Sequence, residues 1–320
     1  MSKRCFVAWV VSVVLTVPGV GVVSGQDYPN RPVRMLTSSV GSGTDFATRL
    51  LAPGLSSILG QQVVIDNRPG GIIQGEIVSN ALPDGYTLLS VGSTFVLGPL
   101  LSKTPYDPVK DFLPISILGR APNVVVVHSS VAVSSIKELI AMAKAKPGVL
   151  NYASGPVGAS NHLAAELFKA MAGVNIVRVA YKGGGPALNG VIAGQVQLIF
   201  ASAGSVVPHL KSGRLRALAV TSAQPSKSVP GLPTVAAAGL PGYESVSIGL
   251  LLAPARTPSA IIRRLNQGVV HVLNQPDVEE KFLNTGVEAA SSSPQELAVA
   301  MKSDIARMSK LIKDAGITAD

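Results

Sequence analysis

The stretch that decides the fold is Val33–Leu59, VRMLTSSVGSGTDFATRLLAPGLSSIL. Its apolar beginning predicts a β-strand at Val33–Thr37, and the apolar residues after Phe46 recur at helical spacing. The loop between them, TSSVGSGTDF at Thr37–Phe46, is rich in glycine and serine. Because a helix N-terminus presents unpaired N–H groups and a partial positive charge, such a strand–loop–helix unit can hold a carboxylate or a phosphate.

The same loop begins like the glycine motif of dinucleotide-binding folds but then departs from it. Gly41 and Gly43 match the first two glycines, whereas Phe46 stands where a third glycine would let the helix pack closely on the strand. The Lys-Ser/Thr pair of P-loop proteins does not follow. The simplest structural interpretation is a turn in which Thr44 or Asp45 caps the next helix, and that turn is compatible with an anion site.

Two further loops repeat the pattern. NYASGPVGASNH at Asn151–His162 and YKGGGP at Tyr181–Pro186 each lead from a predicted strand through small residues into a predicted helix. Glycine lets the backbone approach a ligand closely. Three such loops in one chain predict a site built from main-chain donors.

Short apolar runs alternate with amphipathic stretches almost to the end of the chain. Strands are predicted at Val33–Thr37, Gln62–Asn67, Tyr86–Val91, Asn123–His128, Leu150–Ala153, Ile176–Ala180, Gln195–Phe200, Leu215–Thr221 and Ile248–Ala253. SIKELIAMAKA at Ser135–Ala145 is typical of the stretches between them, because its apolar residues recur at helical spacing. Strands separated by helices indicate parallel-rich sheets flanked by helices, an α/β fold.

The order of these elements predicts two domains with a ligand cleft between them. The sequence near Gly119–Asn123 and near Gly239–Ser247 is typical of segments that pass from one domain to another. The last fifth of the chain is again mostly helical. We therefore predict a discontinuous first domain at residues 26–122 and 248–320, with an inserted second domain at 123–247. Ligands of α/β sheets bind beyond the carboxyl ends of the strands, so the cleft is the expected site.

Residues 1–25 have the three-part pattern of a secretory signal peptide. Lys3 and Arg4 precede an uncharged run that ends on small residues at Val23–Gly25. A membrane anchor is the alternative, but Pro18 interrupts the run. We expect cleavage near residue 25 and a periplasmic mature chain with 295 of the 320 residues.

The composition of the mature chain excludes several classes of protein. Cleavage removes Cys5, the only cysteine, and with it thiolate zinc sites, cysteine nucleophiles and disulfides. The remaining 25 basic and 18 acidic residues give a net charge of +7. The basic residues are scattered and aromatic residues are few, so no nucleic-acid partner is expected. A mildly basic secreted protein is the simplest interpretation, and attraction of small organic anions is compatible with it.

The sequence also argues against an enzyme. Its four histidines, His128, His162, His209 and His271, lack metal-ligand spacing, and no G-x-S-x-G nucleophile motif occurs. Ser160 and His162 are two apart at a predicted helix start, so their side chains diverge. We expect no catalytic residue, no metal and no cofactor.

The mature chain resembles the Bug-type, TctC-like periplasmic solute-binding proteins of tripartite tricarboxylate transporters. The resemblance covers nearly everything from Tyr28 to Asp320. It rests on YPNRPVRMLTSSVGSGTDFATRLLA, GQQVVIDNRPG, PDGYTLL, PYDPVKDFLPIS, LNYASGPVGASNHLAAELFKAMAG, YKGGGPAL, GRLRALAVTS, LPTVAAAGLPGYE and LLAPARTP, in this order. The resemblance implies a periplasmic-binding-protein-like fold. In this fold two α/β domains close on a small carboxylated solute.

In this family two loops hold the carboxylate, mainly through backbone N–H groups and ordered water. They correspond to Ser38–Asp45 and Ala153–His162, and segments near Gly92–Thr94 and after Phe200 complete the pocket. The ligand-binding residues that the resemblance implies are Ser38, Ser39, Gly41, Ser42, Gly43, Thr44, Asp45, Gly92, Ser93, Thr94, Ser154, Gly155, Gly158, Ala159, Ser160, His162, Ala201 and Ser202.

Four departures from the family pattern lie near the expected cleft. Val40 and Ser42 stand where the family often has proline and glycine, and Ala201-Ser202 occupies a position that is frequently Asp-Asn. Ile248-Gly249 replaces a common Trp-Phe, and Gly70–Gln74 is shorter and more apolar than usual. They hint at a ligand with an apolar part.

We expect a non-enzymatic monomer that captures a small carboxylate and delivers it to the membrane subunits of a tripartite tricarboxylate transporter. The cleft is expected to close by hinge motion when the solute binds. The alternative is a periplasmic sensor component that feeds a two-component signalling system.

Overall fold

The computed structural model describes residues 28–68, 71–210 and 212–318, and the predicted signal peptide lies outside them. The strands are β1 (Val33–Thr37), β2 (Val63–Asn67), β3 (Thr87–Gly92), β4 (Phe112–His128), β5 (Asn151–Ser154), β6 (Val177–Ala180), β7 (Leu198–Ser202), β8 (Leu215–Val220), β9 (Val246–Pro254) and β10 (Glu288–Ala289). The helices are α1 (Gly43–Leu59), α2 (Gly71–Ser79), α3 (Ser93–Leu97), α4 (Ile136–Ala145), α5 (Ser160–Ala172), α6 (Gly184–Ile192), α7 (Ala203–Leu210), α8 (Ser259–Leu273), α9 (Pro276–Leu283) and α10 (Pro294–Asp314). A 3₁₀ turn at Gly98–Leu100 follows α3.

The strands form two halves that share β4. Strands β2, β1, β3, β9 and β4 are neighbours in that order, and β4 continues into β7, β5 and β6. β1 is parallel to β2 and β3, and β5 is parallel to β6 and β7. β9 is antiparallel to β3 and β4, and β4 is antiparallel to β7 and β8. The predicted α/β class is confirmed, with parallel pairing on the outer strands and antiparallel pairing where the halves meet.

β4 is the longest described strand and passes from one half to the other. Its residues Phe112–Pro122 pair with β9, whereas Asn123–Val127 pair with β7. The sequence predicted only Asn123–His128, because proline and glycine in the first part are typical strand breakers. Register shifts beside Pro114 and Gly119 absorb these residues without ending the strand.

The buried clusters show how the helices attach to the sheet. Leu51 of α1 and Leu265 of α8 share a cluster in the first half. Leu297 of α10 packs with strands of the same half, whereas Leu311 lies in the cluster of the second half. Thus α10 spans both halves, although the sequence assigned all of residues 248–320 to the first domain. The domain boundaries remain a prediction.

A capping box fixes the start of α10. The Ser293 hydroxyl accepts a hydrogen bond from the Glu296 N–H at 3.2 Å, and the Glu296 carboxylate accepts one from the Ser293 N–H at 2.8 Å. This pair satisfies two of the backbone donors that a helix start leaves open. No helix within the described ranges is long and apolar enough to cross a membrane.

Candidate functional site

A cleft of about 800 Å³ opens where the two halves meet. Its walls include β4 and β9, the starts of α1 and α5, and the segment from β3 to the 3₁₀ turn. The predicted site residues that line it are Ser38, Ser42, Gly43, Thr44, Gly92, Thr94, Gly158, Ala159 and Ser160. Residues from three predicted segments therefore lie around one cavity.

The first loop ends in a capped helix whose first turn faces the cleft. Ser42 is the N-cap, and its hydroxyl accepts a hydrogen bond from the Asp45 N–H at 3.2 Å. The cap is therefore Ser42, one of the predicted site residues, and not Thr44 or Asp45. Gly43 and Thr44 both line the cleft, and the first N–H groups of a helix have no partner inside it. These two amides are the donors that the first loop offers.

Asp45 holds this loop from behind. Its side chain is buried, and its carboxylate accepts hydrogen bonds from the Gly41 N–H at 2.9 Å, from Asn67 Nδ2 at 2.7 Å and from Arg49 Nε at 3.0 Å. Burial raises the pKa of this carboxyl, but the hydrogen bonds and the charge of Arg49 outweigh burial and lower it. Asp45 is therefore ionised, and its carboxylate fixes the conformation of the loop through these hydrogen bonds.

The second loop uses several of its own amides internally. The Gly155 N–H donates to Asn161 Oδ1 at 3.3 Å, the Gly158 N–H to His162 Nδ1 at 3.2 Å, and the Ala159 N–H to the Pro156 carbonyl at 3.1 Å. These contacts place Gly155 and His162 behind the loop. The N–H groups of Ser160 and Asn161, in the first turn of α5, take part in none of these contacts.

The start of α5 presents such amides directly. Ala159 is its N-cap, with no side-chain hydrogen bond to cap it. Ser160 is the first helical residue and lines the cleft, and Asn161 follows it. Because α1 and α5 begin on opposite sides of the cleft, their first turns form two donor groups that face one space.

The remaining predicted residues lie away from the cleft wall. Ser154 sits at the end of β5, where its hydroxyl accepts a hydrogen bond from Arg178 Nε at 2.8 Å. Ala201 and Ser202 end β7, and the Ser202 hydroxyl donates to Ser205 Oγ at 2.9 Å. The predicted residues that are not part of the lining are Ser39, Gly41, Asp45, Ser93, Ser154, Gly155, His162, Ala201 and Ser202.

The sequence predicted only some of the residues that form the floor of the cleft. Ile248 and Gly249, which depart from the family pattern, do line it. Pro156 and Val157 lie within the predicted loop Ala153–His162. The lining residues that were not predicted are Ala47, Leu97, Gly98, Leu101, Ser102, Gly119, Ala121, Ser247 and Val287. Most of these are apolar or glycine, and nothing in their local sequence separates them from core residues. They meet at the cleft because strands and turns far apart in the chain come together there.

The cleft wall carries no charged side chain among the residues that the structure describes. Nor does the described part of the chain contain a group of three or more His, Cys, Asp or Glu that could hold a metal ion. The chemistry that this site offers is therefore hydrogen bonding from amides and hydroxyls beside an apolar floor.

The chain matches known proteins over most of its length. The sequence profile of the family described as "Tripartite tricarboxylate transporter family receptor" matches residues 47–317. The protein BugT of Bordetella pertussis is 32% identical over 314 residues, which cover 96% of this chain and 96% of BugT. Among solved structures, R. palustris Rpa4515 with adipate has a TM-score of 0.78 at 37% identity, over 92% of this chain and 100% of that chain. MatC from Rhodopseudomonas palustris with bound malate has a TM-score of 0.73 at 28% identity, over 89% and 100%.

Proposed function

Because this chain belongs to the family of tripartite tricarboxylate transporter receptors, we propose that it captures a small carboxylate in the cleft and delivers it to the membrane subunits of such a transporter. Receptors of this family are solute-binding proteins and not enzymes. The proposal includes export to the periplasm, as the sequence of residues 1–25 predicts.

One observation carries the proposal. Two helix N-termini, those of α1 and α5, face a cleft whose described wall contains no charged side chain. Helix N-termini favour anions, since unpaired N–H groups and the helix dipole act together there. The loops Ser38–Asp45 and Ala153–His162 contain neither Lys nor Arg, so main-chain amides supply the positive end of the interaction.

The energies are sufficient for a useful receptor. A hydrogen bond to a charged group contributes about 1.5–3 kcal/mol, and a favourable helix terminus contributes up to about 2 kcal/mol. A micromolar complex requires about −8 kcal/mol in total. Four such bonds at the upper end of their range contribute about 12 kcal/mol, and an association cost of about 4 kcal/mol leaves the required value.

The solved neighbours support the chemical class. One is described with adipate and another with bound malate, and both molecules are dicarboxylates. A dicarboxylate suits a cleft with two facing donor groups, because each group can hold one end. We therefore propose that one carboxylate is held by Gly43 and Thr44 and the other by Ser160 and Asn161.

Proline at the first position of each helix tests the donors individually. Gly43→Pro and Ser160→Pro each delete one N–H while keeping the helix start, because proline is favoured at this position and the preceding residues are already extended. Each variant is expected to weaken adipate binding about tenfold or more in titration calorimetry, the effect of losing one charge-assisted hydrogen bond.

Ser259→Pro is the matched control, since Ser259 is the exposed first residue of α8 and lies outside the cleft wall. It should leave binding unchanged. Because adipate is not necessarily the solute of this protein, the titrations are repeated with a panel of mono- and dicarboxylic acids, each compared with its neutral amide. If the amides bind as tightly as the acids, the carboxylate proposal is wrong.

A further inference from the structure

Three glycines lie side by side on the floor of the cleft. Gly92 of β3 is the cross-strand partner of Gly249 of β9, and Gly249 is the partner of Gly119 of β4. All three line the cleft. Since neighbouring strands are about 4.8 Å apart, this glycine strip is about 10 Å long, and Val287 and the Glu288 carbonyl pack against its Gly119 end.

The fold requires glycine at only one of these positions. A Cβ at Gly119 would lie 2.8 Å from Val287 Cγ1 and 3.0 Å from the Glu288 carbonyl oxygen, so packing excludes a side chain there. A Cβ at Gly92 or Gly249 would meet its nearest neighbours at 3.7 Å and 3.5 Å, which are ordinary contacts. None of the three has a φ in the left-handed region. Neither backbone conformation nor packing therefore explains Gly92 and Gly249.

The open side of these two glycines is the cleft itself. At one end of the strip, a Cβ on Gly92 would lie 3.7 Å from Thr44 Cγ2, in the first turn of α1. At the other end, Gly119 adjoins Val287. The strip thus runs from the proposed carboxylate donors across three strands towards an apolar wall, and Leu97, Leu101 and Ile248 also line the cleft.

We propose that the glycine strip receives the flat face of an aromatic ring, so that the solute is an aromatic carboxylate. This inference rests on the proposed function, because the α1 donors fix the carboxylate at one end. Glycine allows the backbone to approach a ligand closely, and a planar ring can lie in contact with several peptide groups at once. A saturated ring is puckered, so it touches the same strip at fewer points and gains less dispersion energy.

Matched acids test this inference on the unaltered protein. Titration calorimetry compares benzoate with cyclohexanecarboxylate, and terephthalate with trans-cyclohexane-1,4-dicarboxylate, with adipate as an open-chain reference. The planar member of each pair is expected to bind about tenfold more tightly, the upper end of what an aromatic contact adds. Equal or tighter binding of the saturated members would overturn the inference.

Side chains added to the strip supply the second test. Gly249→Ala is expected to weaken binding of the best planar acid about tenfold, and Gly249→Val to weaken it further, because each lifts the ring off the backbone. Gly185→Ala is the control, because the predicted loop Tyr181–Pro186 contributes no residue to the cleft wall and a Cβ at Gly185 meets nothing within 4 Å. If Gly249→Ala binds planar acids with the same affinity as the unaltered protein, the aromatic ring does not lie on the glycine strip.

The two proposals fail in different ways. If adipate binds and the planar acids do not, the aromatic inference is wrong while the proposed carboxylate capture stands. If no acid in the panel binds more tightly than its amide, the proposed function itself is wrong.

Discussion

At the scale of single residues, the donors that the site can offer a ligand are those backbone N–H groups that form no hydrogen bond within the protein. Six residues of the second loop, Ser154, Gly155, Gly158, Ala159, Ser160 and His162, were predicted to bind the ligand. In the structure the amides of Gly155, Gly158 and Ala159 donate within the loop. Sequence reasoning could find the loop but not this division of its donors, because Asn161 and His162 act as internal acceptors only in the folded geometry.

Asp45 gives a prediction about stability at this scale. Asp45→Asn is expected to lower the free energy of unfolding by about 2 kcal/mol at pH 7, because it removes a buried charge that accepts three hydrogen bonds. The folded-state pKa of Asp45 is lowered. Its contribution is therefore fully present above the unfolded-state pKa, about 4, and is lost as the pH falls through the lower folded value.

Urea unfolding at pH 7 and at several lower pH values checks this. The difference between the unaltered protein and Asp45→Asn should narrow below about pH 4. Asp277→Asn is the control, since Asp277 forms an exposed ion pair with Lys281 and should change the unfolding free energy much less. A difference for Asp45→Asn that stays constant with pH would mean that its charge has no part in the effect.

At the scale of elements, most strands followed from apolar runs. β1 begins and ends where the sequence predicted, β2 begins one residue later than predicted, and β3 is shifted by one residue at both ends. The first part of β4 was missed because Pro114 and Pro122 hide it, and β10 because a strand of two residues leaves no pattern. The first part of β4 pairs with β9, and β10 pairs with β4. These partners are distant in sequence, so the local spacing of apolar residues does not reveal the pairing.

The capping box of α10 leads to a second prediction. Ser293→Ala is expected to destabilise the protein by about 1 kcal/mol, because the Glu296 N–H loses its acceptor and the reciprocal bond loses its geometry. Chemical denaturation measures this loss. Ser303→Ala, at an exposed position inside the same helix, should be neutral or slightly stabilising, since alanine has the higher helix propensity. Equal effects of the two variants would show that the cap contributes nothing specific.

At the scale of the whole molecule, the two halves are joined in ways that permit a hinge. β4 passes from the first half to the second, and the chain returns to the first half in β9, so a hinge can act at these two crossings. α10 packs against the clusters of both halves and has to move with the hinge. The cleft lies between the halves and takes one helix N-terminus from each. A ligand that bridges α1 and α5 therefore favours the conformation in which these termini are close.

Small-angle X-ray scattering tests this closure. The radius of gyration is expected to fall when a carboxylate from the panel saturates the protein, and to stay unchanged with the matching amide. Binding proven by calorimetry with no change in the radius of gyration would mean that the cleft accepts its solute without hinge motion. The Ser160→Pro variant serves as a further control, because it should need more ligand for the same compaction.

We propose that main-chain amides at the N-termini of α1 and α5 hold the two carboxylates of the solute, one at each helix start. A crystal structure of the complex with the tightest-binding acid of the panel tests it most directly. We expect carboxylate oxygens at about 2.7–3.2 Å from the backbone nitrogens of Gly43 or Thr44 and of Ser160 or Asn161, directly or through one water. A carboxylate paired instead with a Lys or Arg side chain, away from both helix starts, would show that these amides are not the binding groups.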